Sequence, residues 1–370
     1  MSRLESSGHY ALGVPVYLAL MLLEWGLYRR RHPGLYGFSD TLSNFAGGLG
    51  EVCVGLLLGP WLLWLYDFGY ARLALVRWAE GSPWPWILAV PGADLCYYLY
   101  HRAGHTVALL HAVHGVHHQS ERFNLSVALR HPWFSDVYSF VFYIPMPVLG
   151  IPPGPFFFGV AVISFYALTV HTRGFNRPGF GFLVTPRTHI VHHARNPRYL
   201  GKNLGAMFTV WDRLFGTHVE VTDDDPPEIG SPAGYRSHDG ALAQFTLFAD
   251  LWSGLRASRT PREWARVLFG RPGWRPPGSP RRPRSVARSD ASIPGPTKLY
   301  VAFQFPLLLA FGLAVAWERE RFDLRGHLVT VLVVAAGLAS LGGLLDGRRH
   351  AVRAEVARLA CSAALLVLVR

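Results

Sequence analysis

The sequence predicts an all-α, polytopic membrane protein, and three observations carry that reading. Half of the 370 residues are hydrophobic and only 16% are charged, where a soluble domain carries roughly a quarter. Several apolar segments approach the about 20 residues that a helix needs to cross the hydrocarbon core. Arginines cluster at alternate ends of those segments. The formal charge of +12 is almost all arginine; in a membrane chain it marks the side that faces anionic lipid, and no nucleic-acid partner is expected. Cys53, Cys96 and Cys361 lie far apart in apolar stretches with no C-x-x-C pair, so neither a disulfide framework nor a thiolate metal site is indicated.

The elements follow in chain order. Tyr10–Tyr28 is the first span; polar and acidic residues precede it and no cleavage signal follows, so residues 1–35 read as a retained anchor. Phe45–Tyr66 and Trp84–Tyr100 are the next spans. Val137–Val170 is apolar but interrupted by I-P-P-G-P at Ile151–Pro155, which predicts a hairpin of two shorter helices. Together these form a four-helix transmembrane core. Leu299–Trp317, His327–Leu345 and Glu355–Val369 are three further expected spans, in a C-terminal segment 298–370. Residues 221–297 are polar and end in Arg271–Pro296, whose Arg, Pro, Ser and Gly content reads as a linker. Arg29–Arg31 close the first span and place that end in the cytoplasm. Threading onward puts His101, His171 and residues 172–297 on the same side. The expected location is the bacterial inner membrane, multi-pass, with the polar cap facing the cytoplasm.

Seventeen histidines are present, and their spacing is the main chemical signal. His101 and His105 form H-R-A-G-H; His114, His117 and His118 form H-G-V-H-H; His189, His192 and His193 form H-I-V-H-H. Positions three and four apart share a helix face, so each cluster is expected to point two or three imidazoles the same way. Each cluster falls at or just beyond the inner end of an apolar helix, where buried polar groups are costly. Imidazole suits zinc, copper, iron and nickel; a buried polar network is the bland alternative. A catalytic zinc takes three protein ligands, and this set is large enough for two metals. H-R-A-G-H also lacks the glutamate of the H-E-x-x-H zinc protease motif. No G-x-G-x-x-G fingerprint and no cysteine set for an iron–sulfur cluster is present, so electrons are expected from outside the chain.

From about Tyr36 to about Val219 the chain resembles the fatty acid hydroxylase/sterol desaturase superfamily of membrane di-iron oxygenases, and within it bacterial alkylglycerol monooxygenase-like proteins. The resemblance rests on Y-G-F-S-D-T-L-S-N, on D-L-C-Y-Y-L-Y-H-R-A-G-H, and on H-G-V-H-H-Q-S-E-R-F-N-L-S-V-A-L-R. It continues through T-P-R-T-H-I-V-H-H-A-R-N-P-R-Y-L-G-K-N-L-G to W-D-R-L-F-G-T. It implies a di-iron domain over residues 36–220, with His101, His105, His114, His117, His118, His189, His192 and His193 as ligands. His171, in T-V-H-T-R, matches a further family histidine on a shorter motif. Asp94, Glu121, Asn124 and Asn203 match positions expected to orient the imidazoles, and no catalytic residue beyond the metal centre is implied. His111 departs from the pattern, standing where the family has an aromatic residue. His9, His32, His131, His218, His238, His327 and His350 match no ligand position.

The implied activity is O₂-dependent hydroxylation of a lipid chain drawn from the bilayer, an ether lipid or a sterol-like molecule. Two irons, O₂ and an external donor would be required; pterin, ferredoxin and cytochrome all occur among such proteins. Desaturation on the same centre is one alternative. A non-enzymatic metal-binding or transport protein is another; transport would place ionisable groups along the spans, whereas these histidines gather at one face. The sequence does not indicate an oligomeric state.

Overall fold

The computed structural model describes residues 5–174, 181–232, 237–279 and 289–368, and every named element among them is a helix. Part of the expected linker, residues 280–288, lies outside the described residues.

The first half runs α1 (Glu5–Tyr28), α2 (Phe38–Leu73), α3 (Trp84–Thr106) and the short α4 (Ala108–His114). With 36 residues, α2 is much longer than a bilayer requires. Its first two turns carry Ser39, Ser43 and Asn44, all buried against protein. The predicted hairpin is present as α5 (Ser135–Tyr143), the single proline-marked turn α6 (Pro145–Val148) and α7 (Pro153–Thr169). Gly150 makes the corner with φ +87°, a backbone state open to glycine.

The second half contains α8 (Pro186–His192), α9 (Val210–Leu214), α10 (Gly240–Ala257) and α11 (Pro261–Phe269). It ends in α12 (Gly295–Trp317), α13 (Leu324–Leu345) and α14 (Ala351–Leu368). Among the described residues α2, α12 and α13 are long and apolar enough to cross a membrane; α7 is apolar but shorter, and the part of α1 from Pro15 to Tyr28 is apolar too. The expected span in α3 does not reach that apolarity, and the end of the one expected in α14 lies outside the described residues. Asp94 and the histidines interrupt α3, and Arg353, Glu355 and Arg358 interrupt α14.

Small residues set the closest helix contacts, as in membrane bundles where close backbone approach replaces the hydrophobic driving force. Ala89 and Ala93 of α3 are fully buried, and a Cβ at Gly159 of α7 would stand 2.6 Å from the Ala89 carbonyl oxygen. The last helices share a core with the first half: Leu49 and Cys53 of α2 pack with Phe305 and Leu308 of α12 and with Val334 and Leu338 of α13. α1 joins through Tyr17 and Met21, which pack on Leu125 and Ala128. The last turns of α3 and the end of α7 carry site histidines, and the first turns of α2 hydrogen-bond the loop that carries others, so the site forms at one end of the bundle.

Candidate metal centre

Four segments bring the histidines together. α3 presents His101 and His105 one turn apart. α4 ends at His114, and after Gly115 a 3₁₀ turn, His117–Gln119, carries the next two. His171 follows the end of α7. α8 begins with a capping box between Thr185 and Thr188 and Pro186 in its first turn, and presents His189 and His192, with His193 as its C-cap.

In space the nine imidazoles form two groups. His101, His105, His114, His118 and His192 make the first; His117, His171, His189 and His193 make the second. As the spacing predicts, each cluster sends two rings to one group, His101 with His105, His114 with His118, and His189 with His193, while His117 and His192 join the other group. Both adjacent pairs are split, His118 and His192 going to the first group, His117 and His193 to the second. The rings are nearly perpendicular, 84° for His117–His118 and 89° for His192–His193. Neighbours on a helical turn point about 100° apart, so an H-H pair bridges two centres by construction. The break at Gly115 also ends the expected continuous helix through H-G-V-H-H.

The donor set fits metal ions. The Nδ1 of His101 donates to the Leu204 carbonyl at 2.7 Å, that of His117 to Arg130 at 3.2 Å, that of His171 to Ala167 at 2.8 Å and that of His192 to Lys202 at 3.1 Å. A carbonyl only accepts, so these Nδ1 atoms carry the proton and each neutral ring turns a bare Nε2 inward. The bare Nε2 atoms of His171 and His117 face each other at 3.3 Å, a repulsive contact unless a cation stands between them. Around the second group the Nε2 separations are 3.0 Å for His171–His189, 3.1 Å for His171–His193 and 3.2 Å for His189–His193. In the first group His101–His114 and His114–His118 are both 3.1 Å. Two nitrogens about 2.1 Å from one ion, at angles between 90° and tetrahedral, stand about 3.0–3.4 Å apart. The Nε2 atoms of His105 and His192 are buried without a hydrogen-bond partner among the described residues, which a metal bond would supply.

Burial, and then the charge of neighbouring rings, holds His114, His118, His189, His192 and His193 well below the usual imidazole pKa. His117 is lowered in the same way. Burial lowers His171 to about 3. The rings are therefore neutral at pH 7, the state that ligates metal.

The groups expected to orient the rings make contacts in the loops around the site. Asp94 accepts from the N–H of Met207 (2.8 Å) and Phe208 (3.2 Å) and from the Trp211 indole (2.9 Å), pinning the start of α9. Asn203 sits in the left-handed region at φ 51° and donates to the Thr188 and Val219 carbonyls, both at 2.8 Å, tying its loop to α8. Asn124 caps the next turn at Ser126 and donates to the Leu35 carbonyl at 2.6 Å. Glu121 pairs with Arg195 at 3.6 Å. Four of the rings meet main-chain carbonyls at Nδ1. His111 donates from Nδ1 to the Gly104 carbonyl at 2.9 Å and belongs to neither group.

Several supporting residues escaped the sequence reading. Asp212 accepts from the N–H of Leu204 (2.8 Å) and Gly205 (2.9 Å) and so fixes the carbonyl that holds His101. Arg130, whose side chain is 4% exposed, bonds Asn44 at 2.6 Å and Asp40 at 2.9 Å while its carbonyl holds His117. Glu24 is buried in α1 and accepts from the Leu125 N–H at 2.9 Å and from the hydroxyls of Tyr36 and Thr172, next to His171. The signals were present: a lone acid in an apolar span, and Asp40 and Asn44 one turn apart in S-D-T-L-S-N.

Comparisons with known proteins agree with this geometry. The sequence matches the fatty acid hydroxylase family over residues 86–217, a stretch that contains all nine histidines. It is 30% identical over 359 residues to alkylglycerol monooxygenase of Homo sapiens, covering 93% of this chain and 79% of that protein. It is 29% identical over 356 residues to the Danio rerio alkylglycerol monooxygenase, with the same coverage. Over 147 residues it is 29% identical to the ornithine lipid hydroxylase OlsE of Rhizobium tropici, covering 39% of this chain and 44% of that protein. No solved structure matches the chain. The chain belongs to the fatty acid hydroxylase family, alongside the alkylglycerol monooxygenases, and is an integral membrane hydroxylase with an iron-binding histidine site.

Proposed function

We propose that the protein inserts one oxygen atom from O₂ into the alkyl chain of a lipid, with an ether lipid as the favoured substrate and two irons, one in each histidine group. The observation that carries this reading is the pair of imidazole sets whose inward Nε2 atoms stand 3.0–3.3 Å apart with no proton available between His171 and His117. The bound irons would supply O₂ activation and an oxidant able to break a C–H bond. The chain's own residues do the rest. Carbonyls of Leu204, Arg130, Ala167 and Lys202 fix the rings, and burial keeps water away from the oxidising centre.

The overall reaction is RH + O₂ + 2e⁻ + 2H⁺ → ROH + H₂O, with both electrons from an external pterin, ferredoxin or cytochrome. The likeness to alkylglycerol monooxygenase supports the ether lipid. Tyr97 lies 5.2 Å from His101 and continues through Tyr100 to Tyr138, an aromatic wall between the first group and the helical core. The buried Tyr138 hydroxyl has no hydrogen-bond partner among the described residues. Arginine placement supports a bacterial inner-membrane location with the site toward the cytoplasm. Asp94, Glu121, Asn124 and Asn203 are proposed to keep the ligand-bearing loops in register.

The test is metal analysis of purified protein together with mass spectrometry of lipids from cells with and without it. About two irons per chain and a lipid gaining one oxygen are expected. A hydroxyl next to an ether oxygen is a hemiacetal and separates into aldehyde and alcohol, so an aldehyde of the original chain length counts as the same result. Loss of two hydrogens would replace hydroxylation with desaturation; protein saturated at one metal per chain would overturn the two-iron assignment.

A further inference from the structure

The pair α10–α11 stands outside the site and is unexplained by it. α10 has two distinct faces. Ala241, Ala243, Gln244 and Gly254 are buried toward the protein, with Gln244 accepting from the Trp133 N–H at 3.1 Å. The opposite face carries Leu242, Phe245 and Trp252, the last 61% exposed. α11 repeats this: Val267 is buried, while Trp264 and Phe269 are 54% and 64% exposed. Arg256, Arg259 and Arg262 stand among these apolar groups, exposed and without an ion pair among the described residues.

Both ends of the pair are fixed where membrane helices end. At the start of α10, Asp239 binds Arg348 at 2.6 Å and the His238 N–H donates to Asp346 at 2.9 Å, immediately after α13. Gly240 lies against Ala46 of α2, and a Cβ on Gly342 of α13 would run into the Asp239 backbone. At the far end the Ala108 N–H donates to the Gly270 carbonyl at 2.9 Å, two residues beyond α3. Along its length α10 also meets the ligand loop, a Cβ on Gly115 running into Leu247 and Gln119 donating to Thr246, so its 18 residues, about 27 Å, run along the bundle end. A helix in that position with an apolar outer stripe and flanking arginines has the build of an interfacial helix, whose apolar face sinks about 5–10 Å into the headgroup boundary.

We propose that α10 and α11 lie in the bilayer interface on the histidine side, with Trp252, Trp264 and Phe269 in the acyl boundary and Arg256, Arg259 and Arg262 on anionic lipid phosphates. The start of α10 abuts α2 and the end of α13, two helices long and apolar enough to span, and the charge of its arginines is complementary to anionic headgroups. α10 also touches the ligand loop, because Gln119 donates to Thr246 at 3.3 Å one residue after His118. Lipid contact at this face is thereby joined to the loop that carries three ligands.

The experiment uses the full chain in nanodiscs. A bimane label is placed at Trp252→Cys, Trp264→Cys or Phe245→Cys in a Cys361→Ser background, since Cys53 and Cys96 are buried and Cys361 is exposed. Glu220→Cys, on an exposed acidic side chain, is the control. Quenching by a lipid spin-labelled near the top of its acyl chain should be several-fold stronger at the three test sites than at the control, and iodide quenching correspondingly weaker. Iodide quenching equal to the control would overturn the placement. Spin-labelled phosphatidylglycerol should quench more than spin-labelled phosphatidylcholine, and Arg256→Gln/Arg259→Gln/Arg262→Gln should remove that preference. Equal quenching by both lipids in the unsubstituted chain would overturn the arginine assignment. The readout is independent of oxidation, so it stands whether or not the hydroxylase reading does.

Discussion

The two histidine groups come from the same repeated motif but are held by different scaffolds. The first rests on α3 and on the loop 202–205, which Asp212 and Asn203 lock through backbone bonds. The second rests on Arg130 and on the end of α7, and Arg130 is held by Asp40 and Asn44 at the start of α2. The first offers five imidazoles and the second four. A six-coordinate ion would keep one open position in the first group and two in the second, so the second is the better placed to take an exogenous ligand. The difference teaches that the centres can be perturbed separately through their supports, but not through the H-H pairs that join them.

The largest effect is therefore expected from those pairs. His192→Ala/His193→Ala removes one ligand from each group and should abolish oxidation, by more than about 100-fold given that even supporting groups cost 10–100-fold, with metal falling well below one ion per chain. Full activity and metal in this variant, measured by metal analysis and lipid turnover, would end the metal-centre reading. Single changes at His101, His105, His114, His117, His118, His171 or His189 should each be severe.

Next come the supports, which test whether the groups are separable. Asp212→Asn weakens the hold on the Leu204 and Gly205 N–H groups, loosens the loop whose carbonyl holds His101, and should lower metal affinity in the first group by about 10-fold or more. Asn44→Ala loosens Arg130 and should do the same in the second. Chelator titration should then release one metal early and one late in each variant. Simultaneous release of both would show that the centres are coupled too tightly to be addressed one at a time.

A smaller effect follows from protonation of the metal-free protein. The buried imidazoles have folded pKa values below the unfolded value of about 6.5, with His171 lowered to about 3. Below that unfolded value the unfolded chain binds more protons than the folded one, so stability is present above about pH 6.5 and falls as pH drops toward the folded values. Thermal unfolding of metal-free protein should shift to lower temperature between pH 6.5 and 4, and bound metal should oppose the shift. An unfolding temperature flat across that range would contradict the burial of the rings.

Much of this was legible in the chain because apolar runs and histidine spacing are local patterns. The Ile151–Pro155 break gave the hairpin because two adjacent prolines after Gly150 end one helix and start the next, whereas the isolated Pro60, Pro91 and Pro306 are carried within α2, α3 and α12. What stayed hidden depends on which residues meet. Spacing pairs His114 with His118 and His189 with His193, but that His117 joins the group of His171 while His192 joins that of His101 depends on segments far apart in the chain. Arg130 looks like a surface cation until Asp40 and Asn44, more than 80 residues earlier, are seen to enclose it. α10 and α11 fall in a long, Arg-rich segment without a convincing apolar span, and only exposure separates an interfacial stripe from a buried one.

The smallest expected effect is at His111, and it decides whether the first group stops at five. His111 is three residues before His114 and its ring centre lies 6.0 Å from that of His105, close enough to suggest a sixth ligand. Its Nδ1, however, donates to the Gly104 carbonyl at 2.9 Å, across the corner between α3 and α4, and a Cβ on Gly115 would stand 3.1 Å from its Nε2. That ring spans the corner as packing and contributes one hydrogen bond, about 0.5–1.5 kcal/mol of stability. His111→Phe keeps the ring and removes the bond, so metal content should stay unchanged and thermal stability should fall only slightly, while His111→Ala should lose more stability and still retain metal. Loss of one metal in His111→Phe at unchanged fold would make His111 a ligand and would close the first group to any exogenous molecule.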